Sequence, residues 1–349
     1  MTDSEDEETN APGSVTDSTA IPSDPDETTA SVECDFCHYR CTTEPVTASI
    51  EGEAYTFCTE ACRTEMERTE TDFTQYRGFR RIRPGVAGLN NSLPEGMPRN
   101  AFVLIAGETG TREDALGAEL MWRTLERDEP AVLVSFTEPP ISVVQRFLDL
   151  GWNVLPALES DQLRIVDCFT SRIDDSDRFR RRLNRWNKHL RSISEPQTTV
   201  ADPTYQAEIR TKIDNAIDDL NMVDCGAVYI DSLTEFGSLS QPVRAYDFVK
   251  DLRAEVCKGR FVPVFAGATI IGNGEEFPHD LSYMLDGIVE LALTGSVVED
   301  TLIRRLRVRK MTGVLAITEW KAYEFTRNRG LVTFDPLEEM ANASSTDTE

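Results

Sequence analysis

The sequence predicts an α/β protein: a doubly wound, mainly parallel sheet ending in a C-terminal antiparallel hairpin, with a small cysteine-rich domain in front. Three observations carry this. From about residue 80 to 336, apolar runs of strand length alternate with segments of helical spacing. Five of the eight cysteines fall within Cys34–Cys62. The chain of 349 residues is long enough for two domains.

In chain order, residues 1–33 hold ten acids and no Lys or Arg. Such a segment cannot bury enough apolar area to offset ordering entropy, so it is expected to be a disordered tail. Residues 337–349 read the same way. Next come Cys34-Asp-Phe-Cys37 and Cys58-Thr-Glu-Ala-Cys62, two thiol pairs separated by 20 residues. Thiolates so spaced can converge on one tetrahedral cation, and in an intracellular chain Zn²⁺ suits them better than disulfides. The expected ligands are Cys34, Cys37, Cys58 and Cys62, with His38 and Cys41 as alternatives for one of them. A block of about 40 residues, 34–72, cannot fold on its own core, so the metal would supply folding free energy. Residues 73–84 read as a linker.

Six apolar runs follow: Phe102–Ala106, Val132–Phe136, Leu163–Cys168, Ala227–Asp231, Phe261–Ala266 and Gly287–Leu293. Continuous apolar strands are expected where helices cover both faces of a sheet. Thr301–Lys310 and Val314–Phe325 read instead as a hairpin turning at Thr312-Gly313. After the first strand, Gly107-Glu-Thr-Gly-Thr-Arg-Glu-Asp114 runs into a helical pattern, the layout of a phosphate cradle. Its glycines Gly107 and Gly110 remain, but Arg112 stands at the last glycine, Glu113 at the lysine and Asp114 at the Ser/Thr. Glu113 turns attraction for a triphosphate into repulsion. Glu138 and Asp231 fall at strand ends on the carboxyl edge of the sheet, where an NTPase holds its base and its Mg²⁺.

Taken together, these pieces resemble the RecA/KaiC-like ATPase domain over residues 85–336. Pro84-Gly-Val-Ala-Gly-Leu-Asn90, Leu104-Ile-Ala-Gly107, Ser135-Phe-Thr-Glu138, Leu150-Gly-Trp152, Leu163-Arg-Ile-Val-Asp167, Ile230-Asp-Ser-Leu233 and Leu306-Arg-Val-Arg-Lys-Met-Thr-Gly313 follow the family's order of motifs. The resemblance implies a nucleotide site of Gly107, Glu108, Thr109, Gly110, Thr111, Arg112, Glu113, Asp114 and Lys310. It implies vestigial catalytic roles for Glu138 and Asp231, with ATP and Mg²⁺ as doubtful ligands. The departures fall on phosphate-handling groups while scaffold positions survive, the pattern of a pseudo-ATPase. Residues 34–68 resemble treble-clef zinc fingers of the TRASH/MYM type, which mostly mediate protein contacts. The whole resembles degenerate KaiC-like proteins of haloarchaea.

Charge fits this reading. Sixty-one acids against 36 bases give −25, which keeps a protein soluble at high salt and repels nucleic-acid phosphate. No apolar run reaches membrane-span length and no secretory signal is visible, so a cytoplasmic protein is expected. Residues 171–204 form an insertion with an apolar stripe of Phe179, Leu183, Trp186 and Leu190. The arginines around it make 178–191 a basic helix suited to an acidic protein partner; self-association is a further expectation. Function is expected to be regulatory or scaffolding, with a slow ATPase using Arg112, Glu138 and Asp231 as the alternative, and a DNA-handling paralogue behind both.

Overall fold

The computed structural model describes residues 32–37, 41, 43–50, 52–69, 80–186, 197–270, 277–298 and 301–336. The expected tails (all but 32 and 33), His38, most of the linker and the far end of the basic helix lie outside these residues. The chain divides into two compact units, Met1–Asp72 and Phe73–Glu349.

In the first unit a turn carrying Cys34 and Cys37 precedes a hairpin of β1 (Val46–Ile50) and β2 (Glu53–Phe57), then helix α1 (Glu60–Thr69). Among its described residues the buried apolar side chains are Cys34, Phe36 and Phe57.

The second unit opens with β3 (Arg81–Ile82), α2 (Ala87–Ser92) and β4 (Met97–Pro98). It continues through β5 (Phe102–Gly107), α3 (Glu113–Leu125), β6 (Ala131–Ser135), α4 (Pro140–Asp149), α5 (Leu155–Glu159) and β7 (Leu163–Asp167). Then come α6 (Ser176–Trp186), β8 (Gln197–Thr199), α7 (Gln206–Asp219), β9 (Ala227–Asp231), α8 (Leu233–Leu239), α9 (Pro242–Leu252) and β10 (Val264–Thr269). Four strands close it: β11 (Gly287–Val298), β12 (Thr301–Met311), β13 (Lys321–Thr326) and β14 (Gly330–Phe334). Ten of these form one sheet in the order β14-β13-β12-β11-β5-β10-β9-β6-β7-β8. Pairing is parallel from β11 through β8 and antiparallel from β11 to β14.

The apolar strands are buried on both faces, as their composition demands. Along β5, Phe102, Leu104 and Ala106 pack on the side of α7, α8 and α9, while Val103 and Ile105 face α3 and α4. The expected strand at Phe261–Ala266 begins only at Val264, because Phe261 has φ +56° and Pro263 brings no N–H to the ladder. The return strand of the hairpin is shorter than expected, Lys321–Thr326, and 312–320 forms its loop. Within the 171–204 insertion, α6 spans the positions of Phe179, Leu183 and Trp186 while Leu190 lies outside the described residues, and β8 adds an edge strand that the sequence pattern did not suggest.

Candidate functional site

Only residues 108–112 connect β5 to α3, and the loop is fastened from several sides. The Glu108 amide donates to the Leu291 carbonyl (3.1 Å), and its carboxylate accepts from the Leu293 amide (2.8 Å). The Thr111 amide and hydroxyl both donate to the Glu108 carbonyl, at 3.0 and 2.7 Å. From β12, Arg304 Nε donates to the Gly110 carbonyl (2.9 Å); from β13, Tyr323 donates to the Thr111 carbonyl (2.6 Å). Two loop amides that could face an anion are therefore engaged with carbonyls. A Cβ added to Gly107 would meet Thr111 Oγ1 at 2.6 Å and Glu113 Cβ at 3.0 Å, so the loop is packed down onto the strand end.

The side chains of Arg112, Glu113 and Asp114 point different ways. Arg112 sits in the left-handed region (φ +63°, ψ +49°), and its guanidinium lies over the Phe325 ring, 5.3 Å from the centroid. Glu113 turns inward and accepts a hydrogen bond from Thr269 Oγ1 at the end of β10 (3.0 Å). Burial pushes its carboxyl above the usual range, and Asp114 and Asp231 add to the shift. Asp114 faces a residue that the sequence reading had passed over, Arg146.

Arg146 lies on α4 and is tied to three carboxylates at the carboxyl edge, Asp114, Glu138 and Asp231. Its Nη1 bonds Asp231 (2.8 Å), its Nε approaches Asp114 (3.3 Å), and its Nη2 pairs with Glu138. Burial alone would weaken the charge on Arg146, yet Asp231, Asp114 and Glu138 hold its pKa above the ordinary value. Glu138 is held above the usual range by burial, with Asp231 and Asp114 adding and Arg146 opposing. The guanidinium thus sits between the three carboxylates and neutralises part of their charge. A signal for it was present in the sequence. Arg146 falls between Val143, Val144 and Phe147, the buried face of α4, and a guanidinium on such a face calls for buried acids.

Lys310 is not gathered with the loop in this chain. Its Nζ caps the Ser282 carbonyl (2.9 Å), and its register partner Ile288 pairs in turn with Leu104, three residues before Gly107. Tyr229, between β9's neighbours and α3, is fully buried with no hydrogen-bond partner for its hydroxyl. Cys168 and Cys257 are buried thiols, whereas Cys225 is only half-buried.

In the first unit the four sulfurs of Cys34, Cys37, Cys58 and Cys62 lie within 4.8 Å of one another and can hold a metal ion. The Cys37–Cys58 and Cys58–Cys62 sulfur separations, 3.6 and 3.5 Å, approach the roughly 3.8 Å edge of a tetrahedron with zinc–sulfur bonds of about 2.3 Å. Burial opposes ionisation of Cys34, but the amides of Cys37, Cys58 and Phe36 outweigh it and lower its thiol to about 7. The donor set and its convergence fit a thiolate-binding metal. Cys41 is not among the four; its amide bonds the Val32 carbonyl (2.9 Å).

Comparison with known proteins places the second unit. A family model described as the KaiC ATPase matches residues 82–338. A UPF0273 protein of Pyrococcus horikoshii is 25% identical over 255 residues, covering 73% of this chain and 94% of its own. A UPF0273 protein of Methanopyrus kandleri is 28% identical over 253 residues, covering 70% and 89%. The crystal structure of a KaiC-like protein from Pyrococcus horikoshii superposes with a TM-score of 0.54 at 18% identity, over 73% of this chain and 99% of that one.

Proposed function

The chain belongs to the KaiC ATPase family, and we propose that within it this protein is a regulatory scaffold whose hydrolytic site has been replaced by a fixed internal ion cluster. The observation that carries the reading is Arg146, bonded to Asp114, Glu138 and Asp231 together. An ATPase needs those positions free: Asp231 and its neighbour for Mg²⁺, Glu138 to activate water. With a guanidinium fixed among them the base candidate is paired, and a metal would have to displace a buried cation. Glu113 adds a negative charge where a phosphate needs a positive one. ATP binds weakly at best under this reading, and turnover is absent.

The slow-ATPase alternative asks Arg112 to take the lysine's place. Its guanidinium instead lies over Phe325, outside the three-carboxylate cluster. A DNA-handling role is disfavoured by the net charge of −25. We read the four-sulfur cluster as a structural zinc site in a treble-clef finger, closed to substrate and used for protein contact. The exposed Arg178, Arg181 and Arg182 on α6 suit an acidic partner. Among the described residues no helix is long and apolar enough to cross a membrane, and a cytoplasmic location is part of the proposal.

Titration calorimetry with Mg·ATP, followed by a phosphate-release assay in high salt, tests the reading. No phosphate above the blank is expected. Turnover that disappears in Asp231→Asn would overturn it in favour of the enzyme.

A further inference from the structure

The antiparallel end of the sheet carries a feature that the nucleotide-site reading leaves unused. Helices α2 and α3 pack on one face of β12 and β14, where Leu306, Leu331 and Thr333 close around Gly88. Strand alternation puts Arg305 and Arg307 on the other face. Arg305 pairs with Ala322, so the same register sets Trp320 opposite Arg307. Both guanidinium groups lie over the Trp320 indole, each 4.5 Å from its centroid. Arg307 and Arg309 share a single acid, Glu290 on β11, at 2.6 and 2.9 Å. Their side chains keep 34% and 57% of their exposure, and Arg305 Nε is buried without a hydrogen-bond partner. With Glu290 as the acid paired to them among the described residues, and Glu324 of β13 exposed on the same face, the three arginines make a cationic strip on a chain of net charge −25.

We infer that this strip is a docking surface for an extended acidic segment of a partner protein, whose carboxylates seat on Arg305, Arg307 and Arg309. Stacking on the indole holds two of the guanidinium groups in place before a partner arrives, which reduces the side-chain entropy lost on binding. The guanidinium carbons of Arg305 and Arg307 are at most twice 4.5 Å apart. Alternate residues of an extended chain are about 7 Å apart, so a segment with acids at every second position can lie along β12 with each carboxylate on one arginine. A nucleic acid is the weaker occupant. The indole already carries two cations and is no open platform for a base, the contact on which single-strand binding relies. Glu290 occupies the strip in the free protein and competes with the incoming acid. The inference is independent of whether ATP is hydrolysed, since the ring contacts and ion pairs of the strip run among Arg305, Arg307, Arg309, Trp320 and Glu290.

Fluorescence anisotropy of the full chain with a labelled octapeptide, Thr-Glu repeated four times, tests it at the lowest salt that leaves the melting curve unchanged. Saturable binding is expected, weakened at least tenfold in Arg305→Gln/Arg307→Gln. Glu290→Gln is expected to move the other way, tightening binding about threefold as the internal competitor goes. An isomeric peptide with paired acids, Thr-Thr-Glu-Glu repeated twice, should bind more weakly. Absence of saturable binding overturns the inference. So does unchanged affinity in a normally melting double variant, or tighter binding of an oligothymidylate than of the peptide.

Discussion

Replacing Arg146 by Gln tests the ion cluster on which the proposed function rests. The side chain is 13% exposed, and its partners Asp231, Glu138 and Asp114 are 6%, 26% and 42% exposed. Asp231 is the costly partner to strand, since water can reach Asp114 and in part Glu138. Removing one member of a buried ion pair costs about 3–5 kcal/mol. At about 2–4 °C per kcal/mol for a unit of this size, melting should fall by roughly 6–20 °C. The loss should depend on pH in a definite direction. Without the guanidinium, Glu138, already held above its ordinary value by burial with Asp231 and Asp114 adding, loses the neighbour that opposes the shift. The folded variant is therefore relieved by protonation at low pH and penalised as pH rises, so the deficit is larger near about pH 8 than about pH 5. Circular dichroism melts at both values read it directly. About 1 M salt, which screens exposed pairs beyond about 3 Å, should leave most of the deficit. Adding Asp231→Asn should recover part of it, because the stranded charge is then gone. A deficit below about 1 kcal/mol that is the same at both pH values would refute the view that Arg146 is the structural cation of the site.

Three further outcomes are expected. Glu119, with a fully buried side chain, is pushed up to about 7 by burial, despite the Leu331 amide and Arg123. A carboxyl raised above its ordinary value stabilises the fold below about pH 4.5 and loses that contribution as pH climbs through about 7. Wild type should therefore lose about 3 kcal/mol relative to Glu119→Gln between about pH 5 and 8 in urea melts, and a flat difference refutes the assignment. Tyr229→Phe removes a buried hydroxyl that has no partner, so the melting temperature should hold or rise by the equivalent of about 1 kcal/mol; a clear fall would show that the hydroxyl is bonded. Metal analysis should give about one zinc per chain, lost in Cys62→Ser together with the ordered signal of residues 32–69, and full retention of zinc would remove Cys62 from the site.

Much of the fold was legible because one signal decides it. Continuous apolar runs such as Val132–Phe136 and Ala227–Asp231 have few other places to go than the middle of a covered parallel sheet. β9 matches its apolar run residue for residue. The signal failed where backbone geometry competes with apolarity. Phe261 is apolar but left-handed, and Val314–Ala316 are apolar yet form a loop near α2 rather than the return strand. β8, with the polar residues Gln197–Thr199, is an edge strand held by hydrogen bonds to β7 and has no apolar pattern to read.

The site was legible by position and illegible by partnership. Gly107, Glu138 and Asp231 all stand on the carboxyl edge where their motifs put them, since each is anchored to a strand end a few residues away. What no local pattern states is that Arg146, 32 residues after Asp114 and 85 before Asp231, reaches Asp114, Glu138 and Asp231 at once. Substitution of Glu for Lys at 113 and Asp for Ser/Thr at 114 adds negative charge to an edge that already carries Glu138 and Asp231. In a catalytic relative a nucleotide-bound divalent ion would balance such acids; here a covalently tethered cation does. Under the proposed function, the acid at 113 and the cation at 146 are then one electrostatic design rather than two. It follows that restoring only the loop, by Glu113→Lys, should leave Asp231 and Glu138 paired and hydrolysis absent. Phosphate release from that single variant would break the link between the two halves of the site.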